Sequence, residues 1–200
     1  MIKNILFDLD EVLVDCNHSY LTFLHTLPEY KDVTLADFPR LFPDDFWMGS
    51  YELNDRFKDA WLAHPSWGDR PIFPGALDTL ERLKHKGYKM AIITAASGRA
   101  DEKREWVRKR LGDYIGDIEV CLHGDKTRFI LEILKRHKLK AEETVLIDDR
   151  FANLHSAINA GIKAVWRKPN LGHDKLPPDL AHLPTVNNLE EFETWLRNEQ

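Results

Sequence analysis

Three short apolar runs in this sequence each stop abruptly at a polar side chain. The runs are residues 2–7, 88–93 and 144–147, and they are followed by Asp8, Thr94 and Asp148 respectively. Runs of this length and character are typical of buried strands in a parallel sheet. Two weaker strand candidates span residues 118–122 and 162–166. These features predict a sheet whose strands end in polar groups.

Helical patterns separate the strand candidates. One predicted helix begins near Ala76, and three more span residues 99–111, 126–137 and 151–160. Several of them stop at a glycine such as Gly87 or Gly161. Strands that alternate with helices predict an α/β fold with a Rossmann-like, doubly wound parallel sheet. Ligands in such folds bind at the carboxyl ends of the strands. We therefore expect Asp8, Thr94 and Asp149 to converge there.

Residues 16–73 break this alternation and are called the cap segment below. They contain three helical candidates, at about 17–26, 34–42 and 51–64, and Pro71 and Pro74 mark the return to the alternating pattern. We expect a small helical cap inserted after the first strand, with a catalytic core formed by residues 1–15 and 74–200. The stretch 170–188 is loop-like, and Asn188 is a candidate N-cap for a final helix.

Composition limits the classes of function. The chain has 200 residues and a formal net charge of -5, which disfavours nucleic acid as a partner. No apolar run approaches the ~18 to 20 residues of a membrane span, and the first residues lack a signal-peptide pattern. A cytoplasmic location without membrane contact is the expectation. The two cysteines, Cys16 and Cys121, are too few for a disulfide framework and are expected to be free thiols.

Two carboxylates lie two residues apart at the end of the first predicted strand. In this arrangement Asp8 is the candidate nucleophile for phosphoryl transfer and Asp10 the candidate general acid and base. Mg²⁺ favours oxygen ligands and would join Asp8 to Asp149. Lys126 would hold the transferring group as a point charge, and Thr94 would donate a hydrogen bond to it.

Four stretches carry these residues in the order FDLDEVLVD, IITA, GDK and IDDRFAN. Together they resemble the four motifs of the haloacid dehalogenase-like superfamily of hydrolases. The resemblance implies that Asp8 attacks phosphorus, and that Asp10 protonates the leaving oxygen, activates water and offers its main-chain carbonyl to Mg²⁺. Of the acidic pair, Asp149 matches the family's metal ligand better than Asp148, because Asn153 follows it at the expected spacing. Asp10 also distinguishes phosphatases from the dehalogenases of the superfamily.

A closer resemblance rests on DDFWMGSYE, EWVRKRLGDYIGDIEVCLHGDKT and IDDR, which are similar to stretches of the 5'(3')-deoxyribonucleotidases. It implies a nucleoside monophosphate as the substrate. Phe46, Trp47 and Met48 would line a pocket for the base and sugar. Thr94, Ala95 and Lys126 would hold the phosphate.

Two further features have several interpretations. Glu11 stands where many relatives carry glycine, and it could perturb metal binding, shape the substrate pocket or point to solvent. Basic residues crowd the predicted helix at 99–111 but alternate with glutamates, so a solvated face is a better interpretation than a nucleic-acid patch. Lys103 belongs to this group.

Other functions remain open from the sequence. The chain could be a sugar-phosphate or phosphoglycolate-type phosphatase, if its cap does not grip a base. A polynucleotide 3'-phosphatase is disfavoured by the acidic balance. A non-catalytic binding module is disfavoured because the full set of candidate catalytic residues is present.

Overall fold

A parallel sheet of six strands forms the centre of the computed structural model, which describes residues 1–41, 57, 59–96, 99–121, 125–171 and 175–199. The spatial order is β3-β2-β1-β4-β5-β6, and every neighbouring pair is parallel. The strands are β1 (Asn4–Phe7), β2 (Lys89–Ala95), β3 (Asp117–Cys121), β4 (Thr144–Asp148), β5 (Lys163–Arg167) and β6 (Thr185–Val186). The predicted α/β, Rossmann-like fold is confirmed.

Helices cover both faces of this sheet. Alternate side chains of β1 point to opposite faces, so Ile5 and Phe7 join one core cluster and Leu6 joins the other. The helices that follow the cap segment are α4 (Ala76–His85), α5 (Ala100–Leu111), α6 (Thr127–His137), α7 (Phe151–Asn159) and α8 (Leu189–Asn198). Each of the first four lies within one or two residues of its predicted position.

The strand register brings the candidate site residues to one edge of the sheet. Phe7 pairs with Ile92 on one side and with Ile147 on the other. The next residue, Asp8, donates its main-chain N–H to the carbonyl of Ile147 at 3.0 Å. Asp8 and Asp148 therefore leave adjacent strands at the same level.

The cap segment contains α1 (Cys16–Leu24), α2 (Phe38–Leu41) and α3 (Pro65–Gly68), together with 3-10 turns at Pro28–Tyr30 and Leu35–Asp37. Over its described residues 34–41, the helix predicted at 34–42 is a 3-10 turn followed by one α turn. Of the helix predicted at 51–64, residues 57 and 59–63 are helical among those that the structure describes. Tyr20 packs edge-on against Trp61 and Phe38, with ring centroids 5.3 and 6.4 Å away. These aromatic residues are buried packing groups.

The two connections of the cap segment lie side by side. Asp15 donates its N–H to the carbonyl of Pro71 at 2.8 Å, and Phe73 donates to Leu13 at 3.0 Å. An antiparallel bridge pairs Val14 with Ile72. The chain therefore enters and leaves this segment through one narrow junction.

The stretch from 170 to 188 is not entirely a loop as predicted. Thr185 and Val186 form β6, which pairs with the end of β5. Its two residues are too few to show an apolar alternation in the sequence. The predicted cap of the last helix is observed, because the side chain of Asn188 accepts a hydrogen bond from the N–H of Glu191 at 2.9 Å.

The sequence also predicts free cysteines and no membrane-spanning helix. Cys16 and Cys121 are both free and buried. Among the helices of the described residues, none has the length and apolar character needed to cross a membrane.

Candidate active site

Three carboxylates meet at the carboxyl ends of β1 and β4. Asp8 follows β1 directly, Asp148 is the last residue of β4, and Asp149 is the next residue along the chain. Oxygen atoms of the three groups lie within 4.8 Å of one another. A cluster of oxygen donors with this charge suits a hard divalent cation such as Mg²⁺.

A buried lysine balances part of this charge. Lys126, which immediately precedes α6, is 1% exposed, and its ammonium donates to Asp8 Oδ1 at 2.6 Å and to Asp148 Oδ2 at 2.9 Å. A third hydrogen bond, of 3.0 Å, reaches the carbonyl of Ile93. All three donor positions of the ammonium are used, so Lys126 is held rigidly beside Asp8.

The crowding of acidic groups alters their protonation. Burial raises the pKa of Asp8 to about 7, with repulsion from Asp148 and Asp10 adding to the rise and the charge of Lys126 opposing it. Burial also raises the pKa of Asp149 well above its usual range, helped by repulsion from Asp148 and Asp8. A bound cation would reverse both effects because it favours the ionised forms.

Asp148 and Asp149 have different surroundings. Asp148 is fully buried, and its Oδ1 accepts hydrogen bonds from the N–H of Arg150 and from Asn153 Nδ2, both at 2.9 Å. Together with Lys126 these donors engage both of its oxygens. Asp149 is half-buried, and its main-chain carbonyl accepts a hydrogen bond from the indole of Trp166 at 2.9 Å. Asn153, whose spacing favoured Asp149 as the ligand, therefore bonds to Asp148 instead.

Asp10 lies in the turn after β1 and is surrounded by donors. Its Oδ2 accepts a 2.5 Å hydrogen bond from Lys103 Nζ, and its Oδ1 lies 3.4 Å from Arg70 Nη1 and 3.1 Å from the thiol of Cys16. Burial alone would raise the pKa of Asp10, but the charges of Lys103 and Arg70 outweigh it and lower the pKa to about 2. In this arrangement Asp10 is an ionised acceptor.

Thr94 and Ala95 lie at the end of β2. Thr94 is completely buried, and its hydroxyl has no hydrogen-bond partner among the described residues. A buried hydroxyl without a partner is costly, so this atom is suited to a ligand. The carbonyl of Ala95 accepts a 2.6 Å hydrogen bond from Lys103 Nζ.

Glu11 does not point to solvent, which excludes one of its three interpretations. It is 2% exposed, its Oε1 accepts the N–H of Asn17 at 3.0 Å, and its Oε2 has no partner among the described residues. Burial raises its pKa to about 8, with repulsion from Asp15 adding to the rise. The backbone of Glu11 is left-handed, with φ 58°, which explains why glycine suits this position.

Phe46, Trp47 and Met48, the predicted base and sugar contacts, lie outside the described residues.

Two residues near Asp10 were missed by the sequence interpretation. The alternating charges predict a solvated face for Lys103, but it is 4% exposed and its ammonium contacts Asp10. The signal was present, because Lys103, Trp106, Val107 and Leu111 share the buried face of α5 at helical spacing. Arg70 follows α3, outside any periodic pattern, and no sequence signal identifies it.

Comparison with known proteins identifies the family to which this chain belongs. A family model described as haloacid dehalogenase-like hydrolase matches residues 2–161. A similar fold is seen in a haloacid dehalogenase-like family hydrolase from Streptococcus pneumoniae, with a TM-score of 0.71, 17% identity and 98% coverage of each chain.

Two named enzymes are similar to this chain over most of their length, at low sequence identity. A glyceraldehyde 3-phosphate phosphatase from Pyrococcus furiosus is 27% identical, over 84% of this chain and 81% of its own length. The pyrophosphatase PpaX of Bacillus mycoides is 25% identical, over 93% of this chain and 99% of its own. Both names denote enzymes that act on phosphorylated compounds, and neither denotes a nucleotidase.

Proposed function

We propose that this chain, which belongs to the haloacid dehalogenase-like hydrolase family, is a phosphatase that hydrolyses small phosphomonoesters through a phosphoryl group carried on Asp8. The observation that carries this proposal is the position of Asp8. It is buried at the end of β1, held by Lys126, and followed two residues later by Asp10.

Asp8 is the nucleophile in this proposal. Its Oδ1 is fixed by Lys126, so the second oxygen is the one to attack phosphorus. The positive charge of Lys126, whose three donor positions are used within the protein, would stabilise the negative charge of the transferring group. The hydroxyl of Thr94, which has no partner among the described residues, would donate a hydrogen bond to it.

Mg²⁺ is the proposed cofactor, held by the carboxylates of Asp8 and Asp149 and by the main-chain carbonyl of Asp10. The oxygen-only donor set of the acidic cluster fits a hard cation. When bound, Mg²⁺ would neutralise negative charge on the phosphoryl oxygens. Asp148 would stabilise this site indirectly, because its own oxygens are engaged by Lys126, Arg150 and Asn153.

Asp10 is the proposed general acid and base. Because its carboxylate is ionised in the free site, Asp10 would first take up a proton from solvent when the negative charge of a bound phosphate raises its pKa. It would give this proton to the leaving oxygen while Asp8 becomes phosphorylated, and it would later take a proton from the water that hydrolyses the phosphorylated carboxyl. The two aspartates are separated by one residue, and the turn after β1 carries Asp10 towards Lys103 and Arg70. This separation allows one group to attack and the other to exchange protons.

The substrate class is a small phosphorylated metabolite. The resemblance to deoxyribonucleotidases favours a nucleoside monophosphate, with Phe46, Trp47, Met48 and Ala95 as substrate contacts. The names of the relatives favour a second candidate, a sugar phosphate or a related small phosphate. In both cases we propose that the cap segment, residues 16–73, forms the distal wall of the pocket and that residues 1–15 and 74–200 supply the chemistry.

Phosphate release from a panel of substrates tests this function. The panel contains nucleoside 5'- and 3'-monophosphates, triose and hexose phosphates, phosphoglycolate and pyrophosphate, each with and without Mg²⁺. Asp8→Asn is the control, because it keeps the shape of the side chain and removes its nucleophilic charge. We expect activity that requires both Mg²⁺ and Asp8.

The distribution of activity then decides the substrate. A preference for deoxynucleotides would support the nucleotidase interpretation, whereas activity confined to sugar phosphates would keep the mechanism and replace the substrate. Activity that survives in Asp8→Asn would contradict the proposed nucleophile.

A further inference from the structure

We propose that Lys103 and Arg70 are positioning residues that hold the Asp10 carboxylate in the orientation needed for proton transfer. This inference rests on the proposed function, because it assumes that Asp10 is the general acid and base. It adds two residues that lie far from Asp10 in the sequence and belong to none of the four motif stretches.

Lys103 fixes Asp10 to the core. Its ammonium bridges Asp10 Oδ2 at 2.5 Å and the carbonyl of Ala95 at 2.6 Å. The side chain is 5% exposed, whereas that of Asp10 is 32% exposed. A buried lysine loses hydration that only such partners replace. The bridge therefore ties the turn after β1 to the end of β2, where the phosphoryl group would bind.

Arg70 contacts Asp10 from the stretch of chain that returns from α3 to the core. Its guanidinium lies 4.3 Å from the ring centroid of Trp67 and 4.9 Å from that of Trp106, and its Nη1 is 3.4 Å from Asp10 Oδ1. Arg70 is 1% exposed, and its Nε and Nη2 have no hydrogen-bond partner among the described residues. Burying two donors without partners costs free energy, and packing against the two indoles does not by itself require a charged group. The contact of Nη1 with the Asp10 carboxylate gives a reason for an arginine at this position.

Helix α5 carries both Lys103, which contacts Asp10, and Trp106, which packs against Arg70. Lys103 and Trp106 are three residues apart on α5 and share its buried face. The indole of Trp106 also donates a 2.6 Å hydrogen bond to the carbonyl of Gly68, at the end of α3. The position of Asp10 is therefore set jointly by α5 and by the segment that returns from α3 to the core.

Together these contacts restrict the rotation of the Asp10 carboxylate. Lys103 engages one oxygen, while Arg70 and the Cys16 thiol engage the other. A carboxylate held at both oxygens presents a fixed direction to the leaving group, and small displacements of such a group are costly in rate. Removing either cation should therefore weaken proton transfer without removing the nucleophile.

A pair of aryl phosphates measures this effect. Phenyl phosphate and p-nitrophenyl phosphate have nearly the same shape, but phenolate is a poor leaving group that needs protonation and p-nitrophenolate needs little. We define the leaving-group ratio as kcat/KM for phenyl phosphate divided by kcat/KM for p-nitrophenyl phosphate. The ratio is independent of the fraction of enzyme that is folded.

The variants are Asp10→Asn, Lys103→Met and their combination, with Lys109→Met as the matched control on the exposed face of α5. General acid catalysis is worth about 10²- to 10⁴-fold, so we expect Asp10→Asn to lower the ratio strongly. Lys103→Met should lower it about tenfold or more, but by no more than Asp10→Asn does, and Lys109→Met should leave it unchanged. In the Asp10→Asn background, Lys103→Met should have no further effect on the ratio, because both changes act through one group.

Arg70→Met provides an independent variant if Lys103→Met does not fold. Its contact with Asp10 is longer, so we expect the ratio to fall in the same direction by a smaller factor. A purely structural role would lower both kcat/KM values equally and leave the ratio at the wild-type value.

The outcomes separate this inference from the proposed function. A ratio that falls in Asp10→Asn but not in Lys103→Met or Arg70→Met would overturn the positioning role alone. Additive effects in the double variant would do the same, because they would indicate direct contact of Lys103 with the phosphate. A ratio unchanged in Asp10→Asn would overturn the general-acid role of Asp10 and the positioning role with it.

Discussion

At the scale of single residues, the site is defined by an excess of negative charge. Asp8, Asp148 and Asp149 converge within 4.8 Å, and Lys126 supplies a positive charge bonded to two of them. Burial, with the remaining repulsion between these carboxylates, raises the pKa values of Asp8 and Asp149. This imbalance predicts that the affinity of the cluster for a divalent cation depends on pH.

We expect Mg²⁺ to bind more weakly at pH 6 than at pH 8. Binding needs ionised carboxylates, and Asp8 has a pKa of about 7, so protons compete with the metal as the pH falls through this value. For one carboxyl this competition weakens binding by about tenfold at one pH unit below its pKa. Isothermal titration calorimetry at the two pH values measures the change.

A second property of the same titration checks the cause. If Asp8 loses a proton on binding, the observed enthalpy at pH 6 depends on the ionisation enthalpy of the buffer. Equal affinities at pH 6 and pH 8, with no dependence on buffer, would show that these carboxyls are already ionised in the free protein.

At the scale of elements, the strands and helices of the core were predictable because each has a clear apolar pattern. The run 144–147 and its polar terminus predicted β4 and the position of Asp148. Lys103 was misassigned because alternating charges on α5 concealed its place on the buried face. Arg70 was missed because its environment is created by Trp67 and Trp106, which are distant from each other in the sequence.

The turn between β1 and α1 also carries information that a sequence pattern cannot give. The substitution of glutamate for the usual glycine was visible at position 11, but its burial and its bond to the N–H of Asn17 required the structure. Glu11 adopts φ 58°, a conformation that is costly for residues with a Cβ. The hydrogen bond offsets part of this cost.

We predict that Glu11→Gly is more stable than Glu11→Ala. Both changes remove the buried carboxyl and its hydrogen bond, so their difference isolates the left-handed backbone, which favours glycine by about 1 to 2 kcal/mol. Chemical denaturation of the two variants in the same buffer gives this difference. Equal stabilities, or a more stable alanine variant, would show that the turn relaxes to another conformation.

At the scale of the whole molecule, the topology places every proposed catalytic group at one edge of the sheet. β1 lies between β2 and β4, so the polar residues after these strands come from distant parts of the chain but share one site. Parallel α/β folds commonly bind ligands at this edge. The connections of the cap segment leave from the same edge, beside Asp10.

The central claim is that this arrangement makes Asp8 a carrier of the phosphoryl group. The most direct measurement is to quench the Mg²⁺-loaded enzyme with acid during turnover of the best substrate, digest it and locate the phosphoryl group by mass spectrometry. The account predicts a phosphorylated carboxyl at Asp8 that is missing in Asp8→Asn. With p-nitrophenyl phosphate, whose leaving group needs little protonation, it should accumulate further in Asp10→Asn, because water is activated more slowly. A phosphoryl group on another residue, or turnover with no phosphorylated enzyme in either the wild type or Asp10→Asn, would contradict it.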